Sequence, residues 1–126
     1  MGLSREAFEA WLRRYGAAWE ARDPDAAAAL FAADARYYWT PFQEPKRGPA
    51  AIAAAWLEAT SRQRNVRFSF EILAIDGPTG IARWHTHLER PTGRRIELDG
   101  VLLAEFDDDS LCRLFREWWH SSERES

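Results

Sequence analysis

The residues best suited to chemistry lie in the second half of the chain. Arg83, His85 and His87 are spaced two apart, and Glu117 follows some thirty residues later. Residues two apart on a β-strand point to the same side, so an extended segment puts Arg83, His85 and His87 on one face and Ala82, Trp84, Thr86 and Leu88 on the other. An imidazole beside a carboxylate is a natural acid/base pair, because the carboxylate fixes the ring tautomer. An arginine nearby would orient that carboxylate or hold an anionic group of a substrate. His85 and His87 also have the spacing to share an ion with Glu117 as third ligand. Alternate histidines on a strand are more often ordinary, and the expectation is no metal. Asp99-Gly100 offers a further carboxylate, at a glycine suited to a bulge that would re-aim it. Cys112, between Leu111 and Leu114, makes neither an internal disulfide nor a zinc cage and reads as a small buried hydrophobe.

The rest of the composition limits the setting for these groups. The chain has 126 residues, 17 Lys+Arg and 20 Asp+Glu, a net charge of −3 and 46% apolar residues, which suits one globular domain (1–126, core about 4–120). The mild acidity argues against a nucleic-acid partner. The longest uncharged run, Gly48 to Leu57, is about half the length of a bilayer-spanning helix, so no membrane partner is expected. Charged residues Arg5, Glu6 and Glu9 near the start do not resemble a signal peptide, and a single cysteine suits the cytoplasm. Seven Trp, seven Phe and three Tyr are a large aromatic content for this length. It suits a core that surrounds something, or a sizeable interface.

The elements that must position these residues are legible from period and punctuation. Ser4 is a candidate N-cap for a helix whose Phe8, Trp11, Leu12, Tyr15 and Trp19 recur at helical spacing. Asp23-Pro24 opens a short Ala-rich second helix. Asp34 to Thr40 carries strand formers, the Pro- and Gly-rich stretch from Pro41 to Pro49 is a loop, and Pro49 opens a third helix with Ile52, Ala55, Trp56 and Ala59 on one face. The period then becomes two. Val66, Phe68, Phe70 and Ile72 mark one strand, Ile81–Arg90 a second, Arg95–Phe106 a third and Leu111–His120 a last, joined by turns at Gly77–Gly80, Pro91–Gly93 and Asp107–Asp109. Met1–Leu3 and Ser121–Ser126 read as unstructured ends. Helices followed by a meander predict an α+β fold with helices on one face of a mainly antiparallel sheet.

Five phrases in this order resemble the nuclear transport factor 2-like superfamily, in its SnoaL-like branch. They are Trp11-to-Trp19 followed by Asp23, Leu30-Phe31-Ala32-Ala33-Asp34-Ala35, Gly48-Pro49-Ala50-Ala51-Ile52, Asp99-Gly100-Val101 and Phe115-Arg116-Glu117-Trp118-Trp119. The resemblance covers about Phe8 to His120. It implies a cone of three helices on a curved sheet enclosing an apolar pocket, and a homodimer formed through the outer sheet face. Around Pro91-Thr92-Gly93-Arg94 and Arg116-Glu117 the chain is similar to limonene epoxide hydrolase. That similarity puts Arg83 at a catalytic arginine, His85 and Glu117 at two catalytic aspartates, and Tyr37 at a water-holding tyrosine. Trp39 stands where that family has an asparagine. Compared with ketosteroid isomerases, Tyr15 matches the oxyanion-hole tyrosine, while Thr40 and Leu102 replace the two aspartates, so steroid isomerisation is not expected.

Fold alone does not fix function, and two readings compete. One is a cofactor-independent enzyme acting on a small apolar or aromatic, ketone- or polyketide-like molecule, with His85, Glu117 and Arg83 as the catalytic group. The other is a non-catalytic ligand-binding or dimerisation module. In both, Tyr15, Trp19, Tyr37, Trp39, Trp56, Asp99 and Trp119 are expected to line the pocket, with Trp118 and Trp119 on opposite sides of the sheet.

Overall fold

A computed structural model describes residues 2–124. In chain order its elements are α1 (Arg5–Glu20), α2 (Pro24–Ala28), β1 (Phe31–Tyr38), β2 (Lys46–Arg47), α3 (Gly48–Thr60), β3 (Arg64–Asp76), β4 (Thr79–Glu89), β5 (Arg95–Phe106) and β6 (Cys112–Arg124). The strands form one curved six-stranded sheet in the order β2-β1-β6-β5-β4-β3. Every neighbouring pair is antiparallel except β1 and β6, which run parallel, so the sheet is mixed. The fold is α+β as expected. Of its three helices α2 has only five residues, and α3 follows the first strand rather than preceding the sheet. No helix among the described residues is long and apolar enough to cross a membrane.

Local sequence accounts for the element boundaries. The Ser4 side chain accepts a hydrogen bond from the Ala7 amide at 3.0 Å, and Asp23 accepts one from Ala26 at 3.1 Å ahead of Pro24. Both are N-caps that satisfy an otherwise orphaned helical amide. α1 buries Phe8, Trp11, Leu12 and Tyr15, one stripe of a 3.6-residue period. That stripe packs on the concave face of the sheet, against Ala82 and Trp84 of β4, Leu102, Ala104 and Phe106 of β5, and Phe115 of β6. Ile52 and Trp56 of α3 and Tyr37 of β1 close the core from the other side. Phe115 is fully buried, its ring stacked 4.5 Å from Tyr37 and 5.5 Å from Tyr15. Cys112 is buried, and burial pushes its thiol well above the usual range.

Irregularities in the ladder fall at places the two-residue period does not mark. The β5–β6 register passes from Glu105–Leu114 to Phe106–Cys112, leaving Arg113 as an extra residue. Arg113 is therefore turned outward to Glu105, at 3.1 Å, although strict alternation groups it with Phe115 and Glu117. Leu73 is a second extra residue, between the Ile72–Ala82 and Ala74–Ile81 pairs of β3 and β4. The expected bulge at Gly100 is absent, since β4 and β5 pair without interruption through His85–Asp99 and Trp84–Gly100. Gly100 serves close approach instead. A Cβ there would lie 2.4 Å from the Trp118 carbonyl oxygen and 2.8 Å from the Trp119 Cβ. Leu3 and residues 121–124, unstructured by composition, are structured instead: the Leu3 amide donates to the Gly77 carbonyl at 2.8 Å, and β6 continues through Arg124. Met1, Glu125 and Ser126 lie outside the described residues.

Truncating Phe115 tests this core. Phe115→Ala removes a fully buried ring between two others, and the expected loss is about 3–5 kcal/mol, the usual range for emptying such a site. Urea unfolding monitored by circular dichroism measures it.

Candidate functional site

Alternation along β4 and β6 decides which side chains reach the concave face. On β4 the buried set is Gly80, Ala82, Trp84, Thr86 and Leu88, so Arg83, His85 and His87 lie on the outer, convex face. On β6 the inward set is Phe115, Glu117 and Trp119, with Trp118 outward and half-exposed. Between the concave face, α1 and α3 is a cavity of about 250 Å³. Its walls are Tyr15 and Trp19 from α1, Tyr37 and Trp39 at the end of β1, Trp56 from α3, Trp84 from β4, and Trp119 from β6, with Glu117 among them. The rings interlock edge to face: Tyr15 with Trp56 at 5.3 Å, Trp19 with Trp84 at 5.6 Å and Trp19 with Trp56 at 6.2 Å. Side-chain hydrogen bonds fix two of the indoles, from Trp19 Nε1 to Gln63 Oε1 at 2.7 Å and from Trp119 Nε1 to the Trp39 carbonyl at 3.1 Å.

Polar lining comes from Tyr15, Tyr37 and Glu117, and also from Thr60, Arg62, Gln63, Arg90, Ser121 and Glu123. The Tyr15 and Tyr37 hydroxyls share a hydrogen bond of 2.8 Å. Burial, reinforced by Glu117, holds both pKa values well above the ordinary 10, so both hydroxyls stay protonated at neutral pH. Tyr37 adds to the rise at Tyr15, while the Tyr15 hydrogen bond opposes it at Tyr37. Glu117 makes no ion pair and no hydrogen bond among the described residues. Loss of hydration raises its carboxyl from 4.5 to about 8. Near neutral pH it is present as both acid and base, the condition under which a proton-transfer group works best.

Tyr15, Trp19, Tyr37, Trp39, Trp56 and Trp119 all border this cavity. Asp99 does not. It lies on the convex face in a bidentate pair with Arg83, Nε to Oδ1 at 3.2 Å and Nη2 to Oδ2 at 2.7 Å. The hydrogen bond from Arg83 is the main reason the Asp99 carboxyl is held below its usual range. The expected trio of Arg83, His85 and Glu117 does not assemble, because the sheet itself separates the first two from the third. His85 meets Glu97 instead, Nε2 to Oε2 at 2.6 Å. Trp84 is one of several wall residues outside the expected set, with Leu88, Ile96 and Leu98 among the others. Its signal was present in the apolar set Ala82, Trp84 and Leu88, which marks that side of β4 as the buried one.

The family model described as a SnoaL-like domain matches residues 12–114, and the chain belongs to that family. No protein with a curated description matches the sequence. Among solved structures, a computationally designed 17-OHP binder is similar at a TM-score of 0.81 and 17% identity, over 94% of this chain and 97% of that one. The Δ5-3-ketosteroid isomerase of Mycobacterium sp. is similar at a TM-score of 0.78 and 18% identity, over 94% of this chain and 98% of that one. An epoxide hydrolase/cyclase-like enzyme of pyran ring formation in the polyether salinomycin has a TM-score of 0.78 and 16% identity, over 92% of each chain. At these identities the likeness establishes the fold and leaves the chemistry to the site.

The raised Glu117 pKa predicts a definite pH dependence of stability. Its folded value, about 8, exceeds the ordinary 4.5, so between these the folded state binds more protons than the unfolded one. The resulting stabilisation is fully present below about pH 4.5 and is lost progressively as pH rises through about 8. Glu117→Gln is expected to flatten this slope. Urea midpoints of both proteins across that window measure it.

Proposed function

We propose, with membership of the SnoaL-like family as premise, that the cavity binds a small apolar or aromatic, ketone- or polyketide-like molecule and moves a proton on it without a cofactor. Glu117 is the acid/base, and within the Tyr15–Tyr37 pair the hydroxyl that accepts from its neighbour donates its own hydrogen to a carbonyl oxygen. What carries this reading is one half-buried carboxyl that makes no ion pair among the described residues, placed in a largely aromatic cavity beside the Tyr15–Tyr37 hydroxyl pair. As a carboxylate, Glu117 takes a proton from carbon next to the carbonyl. The electron pair moves to the carbonyl oxygen, where tyrosine donation stabilises the developing charge. As a carboxylic acid, Glu117 then returns the proton to the same or a neighbouring carbon, and no redox partner is needed. Aromatic walls exclude water and orient a flat ligand by stacking.

A second reading is a binding module without turnover. It is favoured by the absence, among the described residues, of any ionisable partner that orients Glu117. Deuterium exchange from heavy water into aromatic ketones, followed by NMR, separates the two. The enzyme reading expects exchange catalysed by the native protein and lowered roughly 10²–10⁴-fold in Glu117→Gln, with ligand affinity little changed. Tyr15→Phe should also slow exchange. Binding without exchange for every ketone tested, or an unchanged rate in Glu117→Gln, assigns the site to binding alone.

The convex face supports a proposal about assembly. Trp118, Val101, Leu103 and Ile81 are neighbours in register there, and Trp118 is 47% exposed. Contiguous apolar surface of this kind favours a two-fold contact between copies of the chain. The single cysteine suits a reducing compartment such as the cytoplasm. Light scattering should show a dimer for the native chain and a monomer for Trp118→Glu. A native monomer would overturn this.

A further inference from the structure

Two histidines and a glutamate remain on the convex face with no part in the cavity. His85 and His87 project from β4 on the same side, and Glu97 of β5 is the register partner of His87. His85 Nε2 lies 2.6 Å from Glu97 Oε2, and the two imidazole rings stand edge to face with centroids 4.5 Å apart. One ligand atom from each of the three residues falls within 4.8 Å of the other two. We propose that His85, His87 and Glu97 form a binding site for a divalent first-row transition ion of the zinc class.

The donor set suits that class. Two neutral imidazoles and one carboxylate with a position left for water is a recurrent zinc arrangement, whereas magnesium and calcium take oxygen ligands. Bonds of about 2.0–2.2 Å in a tetrahedral site put ligand atoms roughly 3.3 Å apart. The His85–Glu97 separation of 2.6 Å is shorter than that, and all three ligand atoms lie within 4.8 Å of one another. The close His85–Glu97 contact opens slightly and the exposed His87 swings inward, while the proton between His85 and Glu97 gives way to the ion. β4 and β5 are both interior strands of the sheet, so the three Cα positions are fixed before any ion arrives. Asp99 stands opposite His85 in register, its own charge paired with Arg83. Glu97 and His87 also line a second, open cavity of about 540 Å³, which gives an ion access from solvent. The sequence suggested Glu117 as the carboxylate for this histidine pair. Glu117 belongs to the other face, and Glu97 takes its place.

Because β4 turns Trp84 and Thr86 inward and His85 and His87 outward, such an ion does not touch a ligand of the aromatic cavity. The site therefore stands or falls independently of the chemistry proposed for the cavity, while it shares the convex face with the proposed contact between copies. Isothermal titration of the untagged, chelator-treated chain with Zn(II) is the test, with Co(II) absorption as a second readout. One ion per chain is expected, together with the visible bands of a low-coordinate Co(II) complex. His85→Gln, His87→Gln and Glu97→Gln should each weaken Zn(II) binding roughly tenfold or more. His120→Gln, on the same face but outside the trio, should leave it unchanged. No heat with Zn(II), or equal affinity in His87→Gln and the native chain, would overturn the site. So would a loss confined to His120→Gln.

Discussion

Phe115 lies between the rings of Tyr37 and Tyr15, and the polar floor of the cavity depends on that stack. It holds one tyrosine from a strand and another from a helix so that their hydroxyls meet at 2.8 Å. Two residues further along β6, the same alternation brings Glu117 to the same side. Without the stack, two phenols and a carboxyl from three separate elements have no reason to converge. Their desolvation costs free energy that only a well-packed aromatic surround can offset, and every wall of the cavity contributes to that surround.

Much of this was legible in the sequence, because helices and strands declare themselves by period. The α1 stripe, the Ser4 and Asp23 caps and the turns of the meander all follow from side-chain spacing and turn chemistry. The aromatic wall residues followed too, since large rings at alternate or helical positions in a small domain have few places to go. What period alone does not decide is which of a strand's two faces is covered. On β4 the apolar set Ala82, Trp84 and Leu88 identifies the covered face, and that places Arg83 and His85 outside. Likeness to a hydrolase pattern pointed the other way, because it aligns positions without regard to what this chain put there.

Two other differences have purely local causes. Arg113 leaves its expected face because one extra residue enters the ladder opposite Glu105 and Phe106, and a bulge of one residue inverts the phase behind it. Composition and alternation do not single out Glu97, because its place opposite His87 follows from cross-strand register, which turn lengths set and residue type does not. Asp99 is the reverse case. It was singled out for the glycine beside it, but Gly100 is there to admit the backbone of β6 rather than to bend β5.

The ring of indoles around the cavity has an optical consequence. Trp19 sits 5.6 Å from Trp84 and 6.2 Å from Trp56, distances at which electronic excitation migrates from one chromophore to the next before it is emitted. Light absorbed by any of the three is therefore shared among them and leaves from an apolar setting. A conjugated carbonyl compound seated between them would intercept that excitation. The cavity thus carries its own reporter, and its occupancy can be read from the emission of the unlabelled chain.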